Sequence, residues 1–79
     1  MFDVAWTIKY FGDNLRTLRK ARRMSGKEVF TLLGVDEKNY YEWEGGKHIP
    51  KLETLLRLCN ILGVSMDVLL RGNKDALLN

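Results

Sequence analysis

The feature that most constrains the fold of this 79-residue chain is a helix-start pattern that occurs twice in close succession. The first copy is MSGKEV at residues 24–29, and the second is VDEKNY at residues 35–40. In each copy a helix-capping residue stands second, between two apolar residues spaced as a hydrophobic staple. Leu33 and Gly34 stand between the copies, where a helix is expected to end in a left-handed residue. The sequence therefore predicts two helices that meet across roughly three residues, as at a helix corner.

Helical patterns also flank this corner. Residues 11–18 keep apolar side chains at helical spacing and lead into a cationic end, which is favourable at a helix C-terminus. Leucines on one face predict a further helix over about residues 52–62. Gly63 ends that helix, and Ser65 is placed to cap a fifth one. The whole chain is therefore predicted to be all-α.

The leader, residues 1–10, fits two patterns. Its large apolar residues alternate as in a strand, but together with the following residues they also form a helical seam that Asp3 could cap. We favour the helix, so the leader is predicted to be a helical N-terminal extension continuous with the first helix. The rest of the chain is predicted to be one helical domain over residues 11–72 and a C-terminal tail over residues 73–79.

Composition excludes several classes of function. Cys59 is the one cysteine of the chain, so the sequence offers neither a disulfide nor a thiolate metal cluster. No apolar run approaches the ~20 residues of a membrane span, and no secretory leader pattern opens the chain. The sequence also lacks a nucleophile–base arrangement and a phosphate-binding loop. We therefore predict a cytoplasmic protein that is not an enzyme and that uses no cofactor, metal or membrane.

Charge is distributed unevenly along the chain. Residues 13–23 carry five basic side chains against one acidic side chain, whereas residues 36–44 carry four carboxylates against Lys38 alone. A basic flank is a weak sign of nucleic-acid binding by itself, and a solvated charged face explains it about equally well. The acidic segment beside it argues against DNA binding, because DNA is a polyanion and repels carboxylates.

Four segments, and the distances between them, carry a resemblance to a known family: NLRTLRKARRMSGKEV, LLGV, WEGGK and PKLETLLRLCNILGVSMDVLL. Over about residues 11–70 the chain resembles the phage-repressor (Cro/repressor, XRE-like) helix-turn-helix proteins. The resemblance implies a five-helix, lambda-repressor-like bundle in which helices 2 and 3 form the helix-turn-helix and helix 3 lies in the DNA major groove. It also implies a homodimer that binds double-stranded DNA at an inverted-repeat operator.

The resemblance implies three groups of site residues. Arg19 and Glu44 are expected to form a structural ion pair that fastens helix 3 to helix 1. The residues expected to read bases are Glu37, Lys38, Asn39, Tyr41 and Glu42. The residues expected to bind phosphate, at the start of helix 2 and in the loop after helix 3, are Ser25, Gly26, Lys27, Gly46, Lys47, His48 and Lys51.

Simpler roles stay open for several acidic residues of helix 3. Asp36 is interpreted as an N-cap that accepts backbone N–H bonds, which removes it from the DNA-facing set. Glu37 also fits a first-turn acid that stabilises the helix, and Glu42 also fits a solvent-side residue. His48 is interpreted as a loop histidine near phosphate, because the sequence gives it no partner for a role as metal ligand or base.

Three residues depart from the family pattern. Gly26 stands where the family often has glutamine, and Lys51 stands where it has a serine-like cap of helix 4. Phe30 stands where a small residue lets helices 2 and 3 approach closely. It is therefore expected to widen or re-angle this helix pair, or to turn outward.

The sequence thus predicts a sequence-specific DNA-binding transcriptional regulator, with a repressor preferred. The departures and the acidic helix 3 support an alternative, a protein-interaction module on the same fold (an antitoxin-like or anti-repressor partner) with little DNA affinity. The aromatic residues Phe2, Trp6 and Tyr10 are expected either to cover the end of the bundle or to make a dimer contact.

Overall fold

The computed structural model describes residues 4–71, with side chains from Ile8 onward. Within this range five helices follow one another: α1 (Val4–Ala21), α2 (Gly26–Leu33), α3 (Glu37–Glu44), α4 (Leu52–Leu62) and α5 (Met66–Arg71). Residues 4–71 contain no strand, and the predicted all-α, five-helix fold with a helix-turn-helix is confirmed.

The leader enters the fold as the first turns of α1. Because α1 begins at Val4, residues 4–10 are helical and continuous with the rest of that helix, and the strand pattern is not realised there. The predicted cap at Asp3, the side chains of Phe2 and Trp6, and the tail over residues 73–79 lie outside the described residues. Between residues 4 and 71, no helix is long and apolar enough to cross a membrane.

The corner between α2 and α3 has the predicted capping. Ser25 Oγ accepts from the backbone N–H of Glu28 at 3.0 Å, and Glu28 Oε1 accepts from the N–H of Ser25 at 2.9 Å, which completes a capping box. Gly34 ends α2 in the left-handed region, with φ 73°. Asp36 then caps α3 by accepting from the N–H of Asn39 at 3.2 Å.

The end of α1 uses an arginine where glycine is usual. Arg23 has φ 57°, its N–H donates to the carbonyl of Lys20 at 2.9 Å, and the N–H of Met24 donates to the carbonyl of Arg19 at 3.2 Å. This pair of bonds is a Schellman motif, which turns the chain from α1 into α2. The sequence did not predict this turn, because a non-glycine residue at the left-handed position carries no recognisable sign.

The helices enclose one core. α1 packs against α3 and α5, α2 packs against α3 and α4, and α4 packs against α5. The buried hydrophobic residues are Phe11, Leu15, Val29, Leu33, Tyr40, Trp43, Leu55, Leu58, Leu62 and Leu69. Phe30 is half-buried against this core, and its ring centroid lies 6.0 Å from that of Tyr40 at an interplanar angle of 52°. The α2–α3 pair therefore accommodates Phe30 by tilted ring packing, without turning the side chain out to solvent.

Candidate nucleic-acid interface

The inner side of α3 is fastened to α1 by a partly buried ion pair. Arg19 Nε donates to Glu44 Oε2 at 2.6 Å, and Arg19 Nη2 donates to Glu44 Oε1 at 3.1 Å, a bidentate geometry. The Arg19 side chain is 12% exposed and that of Glu44 is 4% exposed. The hydrogen bond to Glu44 raises the pKa of Arg19, so the guanidinium stays charged. Breaking one side of such a pair costs about 3–5 kcal/mol, because a buried charge loses its partner.

Tyr40 completes this anchor from within α3. Its hydroxyl donates to Glu44 Oε2 at 2.5 Å, one helical turn along the same face. Burial and then the hydrogen bond to Glu44 raise the pKa of Tyr40 well above its usual value, so the phenol stays protonated and remains a donor. The sequence placed Tyr40 in the hydrophobic staple of the second helix-start pattern, and it did not predict the polar contact.

The backbone of α1 lies very close to the backbone at the end of α3. A Cβ atom at Gly12 would lie 2.6 Å from the carbonyl oxygen of Trp43, 2.7 Å from that of Glu44 and 2.9 Å from the N atom of Gly46. In the same contact, a Cβ at Gly46 would lie 3.1 Å from the Cα of Lys9. Glycine at position 12 is therefore required by the distance between the two backbones. A glycine inside a helical pattern was the available sign of this contact in the sequence.

Three of the four carboxylates of residues 36–44 have partners inside the described fold. Asp36 caps α3, and its hydrogen bond from the backbone of Asn39 lowers the pKa of this carboxyl group. Glu44 belongs to the buried anchor with Arg19. Glu42 Oε1 lies 3.1 Å from Nε2 of His48 in the following loop. The acidic composition of this segment therefore reflects contacts within the fold more than a surface presented to a ligand.

The predicted base-reading residues differ in their exposure and in their contacts within the fold. Glu37 and Lys38 are exposed, and within the described residues neither side chain forms a hydrogen bond or salt bridge. Asn39 is exposed as well, but its Nδ2 donates to Asp36 Oδ1 at 2.8 Å, which holds the amide against the cap. Tyr41 is 43% exposed and packs against α2, as described below. We call positions 37, 38 and 41 the outer face of α3, and we leave out the exposed Asn39 because its amide is bonded to Asp36.

The predicted phosphate-binding residues lie at the start of α2 and in the loop after α3. The hydroxyl of Ser25 is used in its own capping box, and Gly26 is buried beneath the ring of Tyr41. Because Gly26 touches Tyr41, the neighbouring exposed Lys27 lies beside α3. In the loop after α3, the N–H of Lys47 donates to the carbonyl of Glu42 at 3.0 Å, so this exposed lysine lies close to the end of α3.

The other predicted phosphate-binding residues after α3 have a backbone role or a side-chain partner within the fold. Gly46 has φ 76°, which allows the chain to turn away from the helix axis. His48 is held against Glu42, a partner that the sequence did not predict. Lys51 Nζ lies 3.6 Å from Glu53 Oε1 at the start of α4, and its side chain makes no capping bond. Of the predicted phosphate-binding lysines, Lys27 follows the glycine that contacts Tyr41, and Lys47 bonds back to the last turn of α3.

Comparison with known proteins decides the family. A family model described as a helix-turn-helix domain matches residues 11–71, which is most of the chain and includes both helices of the corner. The chain belongs to the phage-repressor-like helix-turn-helix family. The resemblance inferred from the sequence is thereby confirmed. This family consists of DNA-binding domains and not of enzymes, in agreement with the prediction from sequence.

Relatives of this helix-turn-helix domain come from bacteria. It is 42% identical over 62 residues to an SPbeta prophage-derived uncharacterized HTH-type transcriptional regulator, YonR, of Bacillus subtilis (strain 168), over 78% of this chain and 57% of that protein. It is 34% identical over 65 residues to the uncharacterized HTH-type transcriptional regulator YqaE of the same strain, over 82% of this chain and 56% of that protein.

A third relative is the cryptic phage CTXphi transcriptional repressor RstR of Vibrio cholerae, 37% identical over 54 residues. That match covers 68% of this chain and 49% of the relative. The helix-turn-helix domain therefore spans about half the length of the curated relatives it matches. No solved structure matches the chain significantly.

Proposed function

We propose that this chain is the DNA-binding part of a transcriptional regulator, acting in the cytoplasm as a homodimer on an inverted-repeat operator. In this proposal α3 lies in the major groove, and bound protein represses transcription by excluding the polymerase. Support comes from the helix-turn-helix family and from relatives that are named transcriptional regulators, one of them a repressor.

The observation that carries the proposal is that α3 is anchored to the bundle on one side and exposed on the other. Its inner side is fixed by the Arg19–Glu44 pair, while its outer face is exposed and centred on Lys38. A rigid helix with one free face suits the major groove, which is wide enough to admit it. Lys38 can donate to guanine O6 and N7, and Glu37 can accept from cytosine N4.

Phosphate contacts would supply most of the affinity. Lys27 is exposed next to Gly26, which contacts Tyr41 of α3, and Lys47 is exposed just after α3. With α3 in the groove, we expect each lysine to approach a sugar–phosphate strand. Each phosphate that is neutralised releases counterions, which makes binding depend on salt. Such contacts fix the position of the protein, whereas the outer face of α3 would select the sequence.

Selection of bound sequences from a random duplex pool tests the proposal. We expect enrichment of an inverted repeat whose half-site centres are about 10–10.5 bp apart or a multiple of that spacing. The variant Thr17→Ala, which changes an exposed position on α1, should enrich the same sequence. If no sequence is enriched and no complex forms at low salt, the DNA-binding function is wrong. The remaining hypothesis would then be a protein-interaction module, which the exposed carboxylate of Glu37 would suit.

A further inference from the structure

Tyr41 and Gly26 form a sterically matched pair across the helix corner. A Cβ atom at Gly26 would overlap the hydroxyl of Tyr41 and would lie 2.7 Å from Cζ and 2.9 Å from Cε1 of the same ring. All three of these atoms belong to one side chain, so the Tyr41 ring fills the space that a side chain at position 26 would occupy. The aromatic side chain of α3 thus lies directly on the first residue of α2.

Glycine at position 26 is not explained by backbone conformation. The glycines with positive φ in the described residues are Gly34, Gly46 and Gly63, and Gly26 is not among them. A glycine inside a helix costs about 0.5–1 kcal/mol relative to alanine, because it loses more backbone freedom on folding. Space for the Tyr41 ring is therefore the structural reason for glycine at this position.

The ring is also held from two other directions. Its centroid lies 5.3 Å from that of Tyr40 at an interplanar angle of 76°, and 6.2 Å from that of Phe30 at 78°. Both arrangements are edge-to-face, which aromatic pairs prefer over face-to-face stacking. A side chain at Gly26 would have to displace the ring, which would disturb these two ring contacts or move α3 relative to α2.

We propose that Tyr41 is a positioning residue, which sets the angle of α3 against α2 through its ring and does not read bases through its hydroxyl. This inference rests on the proposed function, and it replaces the base-reading role that the sequence suggested for Tyr41. Base selection then falls to the neighbouring exposed positions, chiefly Glu37 and Lys38. The Phe30 and Gly26 departures from the family pattern become parts of one packing unit with Tyr41.

Four variants test this inference: Tyr41→Phe, Tyr41→Ala, Gly26→Ala and the double variant of Gly26→Ala with Tyr41→Ala. Binding is measured on the selected duplex and on an unrelated duplex, and thermal unfolding confirms that each variant folds. Tyr41→Phe keeps the ring and should bind within about twofold of the parent, whereas Tyr41→Ala should weaken specific binding about tenfold, equivalent to ~1.4 kcal/mol. A loss from Tyr41→Phe as large as that from Tyr41→Ala would overturn the positioning role.

The double variant isolates the contact between the two residues. Gly26→Ala should weaken specific binding about tenfold in the parent but less than about twofold when Tyr41 is already alanine, because the overlap is then gone. An equal effect in both backgrounds would overturn the inference. If the parent selects no duplex, the proposed function fails and the role in DNA positioning fails with it. In that case the packing contact can still be tested, because the same double-mutant cycle can be measured on the free energy of unfolding.

Discussion

Arg19 contacts Glu44 through two hydrogen bonds of 2.6 and 3.1 Å, and this one contact joins the end of α1 to the end of α3. The same guanidinium donates through Nη1 to the carbonyl oxygen of Met24 at 3.0 Å, just before the cap of α2. A single side chain of α1 therefore contacts both α3 and the turn that leads into α2. The helix-turn-helix depends on α1 for its geometry and is not an independent unit.

Replacing Glu44 by glutamine tests this connection. Glu44→Gln leaves the Arg19 guanidinium partly buried without its counter-charge, so we expect the free energy of unfolding to fall by about 3–5 kcal/mol. Urea denaturation measures the change. The matched control is Glu37→Gln, an exposed carboxylate of the same helix, which should change stability by less than about 0.5 kcal/mol. Equal effects of the two variants would show that the ion pair does not hold α3.

Gly12→Ala separates backbone packing from helix propensity. In an exposed helix this substitution would stabilise by about 0.5–1 kcal/mol. Here the added methyl would meet three backbone atoms at 2.6–2.9 Å, which cannot move aside as a flexible side chain can. We therefore expect a loss of about 1–3 kcal/mol, the usual cost of overpacking, measured by thermal unfolding. Thr17→Ala on the exposed side of α1 is the control, and a stabilising Gly12→Ala would contradict the close approach.

Two lysines should affect DNA binding in different ways. Lys47→Ala should weaken binding to every duplex and reduce the slope of log K against log salt by about 1, because one phosphate contact is lost. Lys38→Ala should instead lose discrimination at particular base pairs, by about 1–3 kcal/mol. Titrations at several salt concentrations, on the selected duplex and on single-base variants, measure both quantities. A uniform loss from Lys38→Ala across all sequences would contradict base reading by α3.

Asp36 makes the stability of α3 depend on pH. Its folded-state pKa is lowered below the unfolded value of 3.8, chiefly by the backbone hydrogen bond from Asn39. The carboxylate therefore stabilises the fold above this unfolded value, and its contribution is lost as the pH falls through the lower folded pKa.

Asp36→Asn keeps a capping acceptor but does not titrate. We expect the parent to have the higher melting temperature at pH 6 and the difference to shrink as the pH falls below 3.8 through the lower folded pKa, because the charge that favours the helix N-terminus is lost in that range. Melting curves of both proteins across this pH range measure the difference in melting temperature. A difference that is constant with pH would show that the charge of Asp36 contributes nothing.

Helix boundaries were predictable because their causes are local. Ser25 with Glu28, and Asp36 with Asn39, make contacts within three residues of chain, so the sequence contains both partners of each bond. The left-handed turn at Arg23 was missed, since its residue type does not indicate that conformation.

The contacts that build the interface were less predictable. The Arg19–Glu44 pair came from family resemblance, because no local pattern joins residues 25 positions apart. The packing of Tyr41 on Gly26 depends on the angle between two helices, which spacing along the chain does not specify. The base-reading role of Tyr41 was implied by the family resemblance and stays a prediction, while the structure shows its ring packed against Tyr40 and Phe30.

Because the α3 carboxylates have partners inside the fold, the formal charge of the third helix is a poor guide for recognising DNA-binding domains of this kind. A search that ranks candidate repressors by the formal charge of the third helix would reject this protein, since residues 36–44 are strongly acidic by count. Yet one of those acids is neutralised inside the bundle by Arg19, and another serves as a cap. The useful quantity for such a ranking is the charge left on solvent-facing atoms once the internal partners have been assigned.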